Sequence, residues 1–66
     1  MLKPKIKVRL AELEIKQVDI YNEFGVTKMT FNNWATGKSR PNLEQAFELA
    51  KRLNCKVDDL WEYIEK

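Results

Sequence analysis

The sequence predicts a single all-α domain of five short helices, and three observations carry that expectation. Hydrophobic residues recur at spacings of three and four along most of the chain, no segment keeps the strict apolar and polar alternation of a half-buried strand, and Gly25, Gly37 and Asn54 fall where the periodic stretches stop. At 66 residues there is room for one domain, residues 1–66, and one small core that packing alone must hold.

Helix 1 is expected over about residues 5–14, with Ile6, Leu10 and Leu13 at i, i+4 and i+7 and Pro4 near the first turn, where a helix tolerates it. Helix 2 should cover 17–24, burying Val18, Tyr21, Ile20 and Phe24 before Gly25 supplies a residue able to take positive φ. Thr27 is a good N-cap for helix 3, residues 27–36, which places Phe31, Trp34 and Ala35 inward until Gly37 ends it. After the basic loop Lys38-Ser39-Arg40-Pro41, Asn42 with Gln45 three residues on has the form of a capping box opening helix 4, residues 42–54. Its apolar pattern is Leu43, Ala46, Phe47, Ala50 and Leu53, and Glu44, Glu48, Lys51 and Arg52 form an acid-first surface ladder. Helix 5, residues 57–65, should carry Val57, Leu60, Trp61 and Ile64 on one face, with Asp58 and Asp59 in its positive first turn.

Composition excludes several function classes. The single cysteine, Cys55, permits no intrachain disulfide, and with no histidine beside it no zinc site is expected. Cys55 reads as a buried structural thiol rather than a redox sensor. Without histidine or a Gly-rich phosphate loop, and with the acids spread over helix surfaces, no nucleophile and base pair can be assembled, so neither an enzyme nor a cofactor is expected. The N-terminal Met1-Leu2-Lys3-Pro4-Lys5 lacks the apolar run of a secretory signal, and no stretch approaches the ~20 apolar residues of a membrane span, so a cytoplasmic protein without membrane contact is expected.

Net charge is only +2 but unevenly placed. Residues 1–41 carry eight Lys/Arg against four acids, residues 42–66 four against six, and from Phe24 to Pro41 there are three basic residues and no acid. Two short helices joined by a Gly-containing turn have the sequence form of a helix-turn-helix at helices 2 and 3. Burying Phe31, Trp34 and Ala35 leaves Lys28, Met29, Asn32, Asn33 and Thr36 facing outward. That set suits a major groove: Asn pairs with adenine N6/N7, Lys donates to guanine O6/N7, and methyl groups pack on thymine. A face selected for stability alone would favour Ala, Glu, Lys or Arg over two Asn and two Thr. Gln17 opens helix 2, and Asn42 opens helix 4 behind Lys38, Ser39 and Arg40, where helix N-termini present N–H groups to phosphate. Lys38 and Arg40 are equally readable as solubility charges of a loop.

The segments Gln17-Val18-Asp19-Ile20-Tyr21, Phe24-Gly25-Val26-Thr27, Trp34-Ala35-Thr36-Gly37-Lys38 and Pro41-Asn42-Leu43-Glu44 resemble the Cro/CI-type (xenobiotic-response-element-type) helix-turn-helix family of phage and bacterial repressors. The resemblance extends from about Ile6 to Ile64 and includes Leu49-Ala50-Lys51-Arg52-Leu53-Asn54 and Val57-Asp58-Asp59-Leu60. It implies a compact five-helix, lambda-repressor-like DNA-binding domain in which Lys28, Met29, Asn32 and Asn33 occupy base-reading positions. Gln17, Thr27, Thr36, Lys38 and Asn42 match phosphate-contacting positions, to which the loop position adds Arg40. The chain departs from the family at Tyr21, where a small Ala is frequent, at Leu10 and Ala35, where a buried Arg and Glu pair is frequent, and at Lys16, which replaces the usual Ser, Thr or Asn cap.

The expected partner is double-stranded DNA, near-palindromic and read by a homodimer, with a repressor as the expected sign of regulation. Trp61, Tyr63 and Ile64 are the expected dimer contact, because three large residues so near the C-terminus exceed what one terminal turn buries. The alternative is an antitoxin or anti-regulator that holds a protein partner through Tyr21, Trp61 and Tyr63. Lys3, Lys5 and Lys7 read as a frayed chain end rather than an arm on DNA.

Overall fold

The computed structural model describes residues 1–65. In chain order the elements are β1 (Leu2–Pro4), α1 (Ile6–Leu13), α2 (Gln17–Glu23), α3 (Lys28–Thr36), α4 (Leu43–Arg52), α5 (Val57–Leu60) and β2 (Trp61–Tyr63). Five helices surround one apolar core drawn from every helix: Ile6 and Leu10, Ile20, Phe31, Trp34 and Ala35, Ala46, Leu49 and Ala50, and Leu60, with Leu53 and Trp61 closing it. Tyr21 is half-buried at the joint of α2 and α3, its ring 6.4 Å from that of Phe31, which lies 6.0 Å from Trp34. Leu10 and Ala35 are both buried, so the apolar replacement of a frequent Arg and Glu pair leaves no stranded charge.

The expectation of an all-α chain is corrected at both termini. Helix 5 is a single turn, and Trp61–Tyr63 is a strand paired antiparallel with Leu2–Pro4, in the register Leu2 with Tyr63, Lys3 with Glu62 and Pro4 with Trp61. Residues 2–4, expected to fray, are therefore paired instead. The Lys5 N–H donates to Leu60 O at 2.7 Å and the Ile64 N–H to Met1 O at 2.7 Å, bracketing the pair. Trp61 packs inward, while Glu62 faces out and meets Lys5 at 3.4 Å. The turn of α5 already buries Leu60, and the strand that follows buries Trp61 as well as a longer helix would while employing the backbone of residues 2–4.

Helix 4 is also rotated from its expected face. Its buried stripe is Ala46, Leu49, Ala50 and Leu53, whereas Leu43 and Phe47 are exposed. Val18 is likewise exposed on α2. The acid-first ladder on α4 is not where Arg52 pairs: its guanidinium donates to both carboxylate oxygens of Glu23, at 2.7 and 3.0 Å, tying the end of α2 to the end of α4. Arg9 of α1 donates to the carbonyls of Leu53 and Asn54, each at 3.1 Å, and so satisfies the C-terminal end of α4.

Candidate nucleic-acid interface

Helix α3 is held at both ends by devices written into its sequence. The Thr27 hydroxyl oxygen accepts from the Thr30 N–H at 3.1 Å, satisfying a first-turn donor. At the other end Gly37 takes φ +87°, and a Cβ there would sit 3.3 Å from Pro4 Cδ, so the glycine permits both the turn and the close approach of β1. Between these ends Phe31, Trp34 and Ala35 are buried, and Lys28, Met29, Asn32 and Thr36 are exposed, Met29 at 74%. Asn33 is half-buried, and its carbonyl accepts from the Gly37 and Ser39 N–H groups at 3.0 and 3.3 Å.

A side chain as long and apolar as Met29, standing free on a helix flanked by Lys28 and Asn32, gains nothing for the fold. Exposed amides and ammonium groups beside it offer a row of hydrogen-bond donors and acceptors to a complementary surface. No acid lies between Phe24 and Pro41, so that row stands in a locally basic environment.

The residues expected to meet phosphate lie on α3 and its cap, on the loop after it and at the starts of α2 and α4, with unequal freedom. Lys38 and Arg40 are exposed on the loop after α3. Gln17 is half-buried at the first position of α2, whose preceding Lys16 provides no side-chain cap. Asn42 and Gln45 form the expected capping box, the Gln45 N–H donating to Asn42 Oδ1 at 2.8 Å and the Asn42 N–H to Gln45 Oε1 at 3.1 Å. The cap leaves only the Asn42 amide nitrogen to reach outward. The Thr27 hydroxyl donates to Thr30 Oγ1 at 3.0 Å, and the Thr36 hydroxyl donates to the Asn32 carbonyl at 2.9 Å, so each has its one proton engaged within α3 and its cap.

The other residues singled out lie elsewhere. Trp61 is only 8% exposed and belongs to the core, Ile64 is half-buried, and Tyr63 alone of the three stands out, at 67%. Cys55 is half-buried between α4 and α5, and burial raises its thiol pKa above the ordinary value. Among the described residues no group of three or more His, Cys, Asp or Glu side chains is arranged to hold a metal ion, and no helix is long and apolar enough to cross a membrane. Leu43 and Phe47, read from the sequence as core, are surface residues.

Comparison with known proteins bears on what this surface meets. A family model described as the Cro/C1-type HTH DNA-binding domain matches residues 5–66. An uncharacterised HTH-type transcriptional regulator of Methanocaldococcus jannaschii is 32% identical over 62 residues, 94% of each chain. The crystal structure of a protein from Bacteroides fragilis, provisionally described as DNA-binding, superposes with a TM-score of 0.85 at 29% identity and covers 94% of this chain and 100% of its own.

Proposed function

Because the chain belongs to the Cro/C1-type HTH DNA-binding domain family, we propose that α2 and α3 are its helix-turn-helix and that α3 enters the major groove of double-stranded DNA to read an operator. The observation that carries this reading is the two-sided character of α3, with Phe31, Trp34 and Ala35 buried beneath an exposed Lys28, Met29 and Asn32 in a stretch free of acids. Lys28, Met29, Asn32 and Asn33 read base edges. Lys38 and Arg40, with Gln17 and the start of α4, hold the phosphates on either side. The molecule acts as a homodimeric transcriptional repressor on a near-palindromic site, its two α3 helices one helical turn of DNA, about 34 Å, apart.

Selection of bound fragments from randomised DNA tests this reading, because an enriched sequence with two related half-sites demonstrates specificity and spacing together. Asn33→Ala is expected to relax base preference at one position of each half-site, weakening binding to the selected operator by about 1–3 kcal/mol and to random DNA little. Equal losses on both DNAs would remove Asn33 from the base-reading set. No enrichment at all would overturn the function.

A further inference from the structure

The ribbon formed by the two chain ends leans on the exit of α3. Strand β1 is pinned to β2, with Pro4 opposite Trp61, whose side chain belongs to the core, and it also packs against α3. That second contact is tight at one point: a Cβ on Gly37 would meet Pro4 Cδ at 3.3 Å and Pro4 Cγ at 3.5 Å. Gly37 is the residue that turns the chain out of the helix. Its N–H and that of Ser39 both donate to Asn33 O, and Lys38 lies between these two donors. Further along the same loop, Arg40 and Pro41 line a hollow together with Leu2, so both ends of β1 border the segment 37–41.

The residue type suits the place. Proline has no N–H to leave unpaired on an edge strand, its φ is fixed, and its ring offers a stiff apolar surface to a glycine that has no side chain. Lys38 and Arg40 enter no salt bridge among the described residues, so the backbone of the loop sets where their charges stand. A loop ordered before it meets its partner does not lose that freedom on binding.

We infer that Pro4 is a positioning residue for DNA binding: its ring holds the Gly37 cap, and through it the loop that sets Lys38 and Arg40 against the phosphates. The inference rests on the reading proposed above, in which those two side chains meet phosphate. It makes the terminal ribbon part of the binding machinery although α3 alone reads the bases.

A mutant cycle in DNA affinity, measured on the full chain well below its thermal midpoint, tests the inference. Pro4→Ala is expected to weaken selected and random DNA alike by roughly fivefold, and by less than about twofold when Lys38→Ala and Arg40→Ala are also present, because groups that act together are not additive. An equal loss in both backgrounds would overturn the inference. So would no loss at all, or a loss confined to the selected operator. Amide hydrogen exchange reads the same contact with no DNA present. Pro4→Ala is expected to speed exchange at Gly37 and Ser39 by about threefold or more relative to Leu53, whose N–H donates to Leu49 O in the core of α4. Equal acceleration of all three amides would make Pro4 a general stabiliser and overturn its positioning role. A wild type that binds no DNA, with Gly37 and Ser39 still loosened by Pro4→Ala, would overturn the function proposed above and leave the hold of Pro4 on the cap standing.

Discussion

Glu14 holds a backbone conformation that its own side chain does nothing to favour. It ends α1 at φ +56°, donating its N–H to Ala11 O at 3.2 Å, while the next N–H, of Ile15, reaches Leu10 O at 3.0 Å. The same paired bonds close α2 through Gly25 and Val26, and close α4 through Asn54 and Cys55. Three helices thus stop by one device, occupied by Gly at one site, Asn at another and Glu at the third. Gly25 and Asn54 announce their turns in sequence because Gly and Asn are the residues that enter the left-handed region at little cost. Glu14 gives no such sign, and its turn is fixed by the packing of Ile15 against the core. Glu14→Gly should therefore stabilise the domain by about 0.5–1 kcal/mol, raising the thermal midpoint by several degrees for a chain of this size. A midpoint unchanged or lowered in a circular-dichroism melt would show that the left-handed turn carries no strain. Residue identity was equally legible on α3, where Thr27, Phe31, Trp34 and Gly37 each declare a role. The inward commitment of the Thr36 hydroxyl was not legible, since it depends on a rotamer rather than on residue type.

At the scale of elements, legibility followed the locality of the contacts. Helix 4 was visible from its spacing, yet Leu43, Ala46, Phe47, Ala50 and Leu53 and the set Ala46, Leu49, Ala50 and Leu53 both satisfy a three and four repeat, and only neighbouring elements decide which stripe is buried. The exposure of Leu43 and Phe47 was hidden for that reason. Strand β2 was hidden for a related one: Val57, Leu60, Trp61 and Ile64 fit a helix as written, and the partner that makes a strand better lies some sixty residues away at Leu2–Pro4. The Glu23 and Arg52 pair is another contact between distant segments, and it has a consequence for pH. Hydrogen bonds from Arg52 hold the Glu23 carboxyl below its ordinary value of 4.5. A carboxylate depressed on folding contributes its stabilisation in full above that value and loses it as pH falls through the lower folded one. Both side chains are exposed to solvent, so the effect is small and screened by salt. Glu23→Gln removes the titration while keeping the shape. Urea midpoints followed from about pH 6 to about pH 3 should fall less steeply for Glu23→Gln than for the wild type. Superimposable curves would mean that the ion pair is thermodynamically silent.

For the molecule as a whole, the distribution of charge matters more than its net value of +2. The excess of Lys and Arg lies in residues 1–41 and the excess of acids in residues 42–66. Folding leaves Lys28, Lys38 and Arg40 exposed on α3 and the loop that follows it, and the mixed-charge hollows of α4 and α5 begin at Arg40. Around α3 a phosphate backbone would meet Lys28, Lys38 and Arg40 in a stretch of chain that holds no acid. Lys38 is the sharpest test, because it is exposed and enters no salt bridge among the described residues, so its removal should leave the fold untouched. Each phosphate neutralised releases condensed counterions, and losing one such contact lowers the slope of log affinity against log salt by about 0.9. Lys38→Ala is accordingly expected to weaken selected and random DNA alike, with a slope shallower by about that amount and an unchanged thermal midpoint. Lys56→Ala, which removes the same charge beside the hollow between α4 and α5, should leave the slope as it is. If the two substitutions flatten the salt dependence equally, the cation acts through net charge rather than at a phosphate. A loss at Lys38 confined to the selected operator would make that lysine a reader of bases instead.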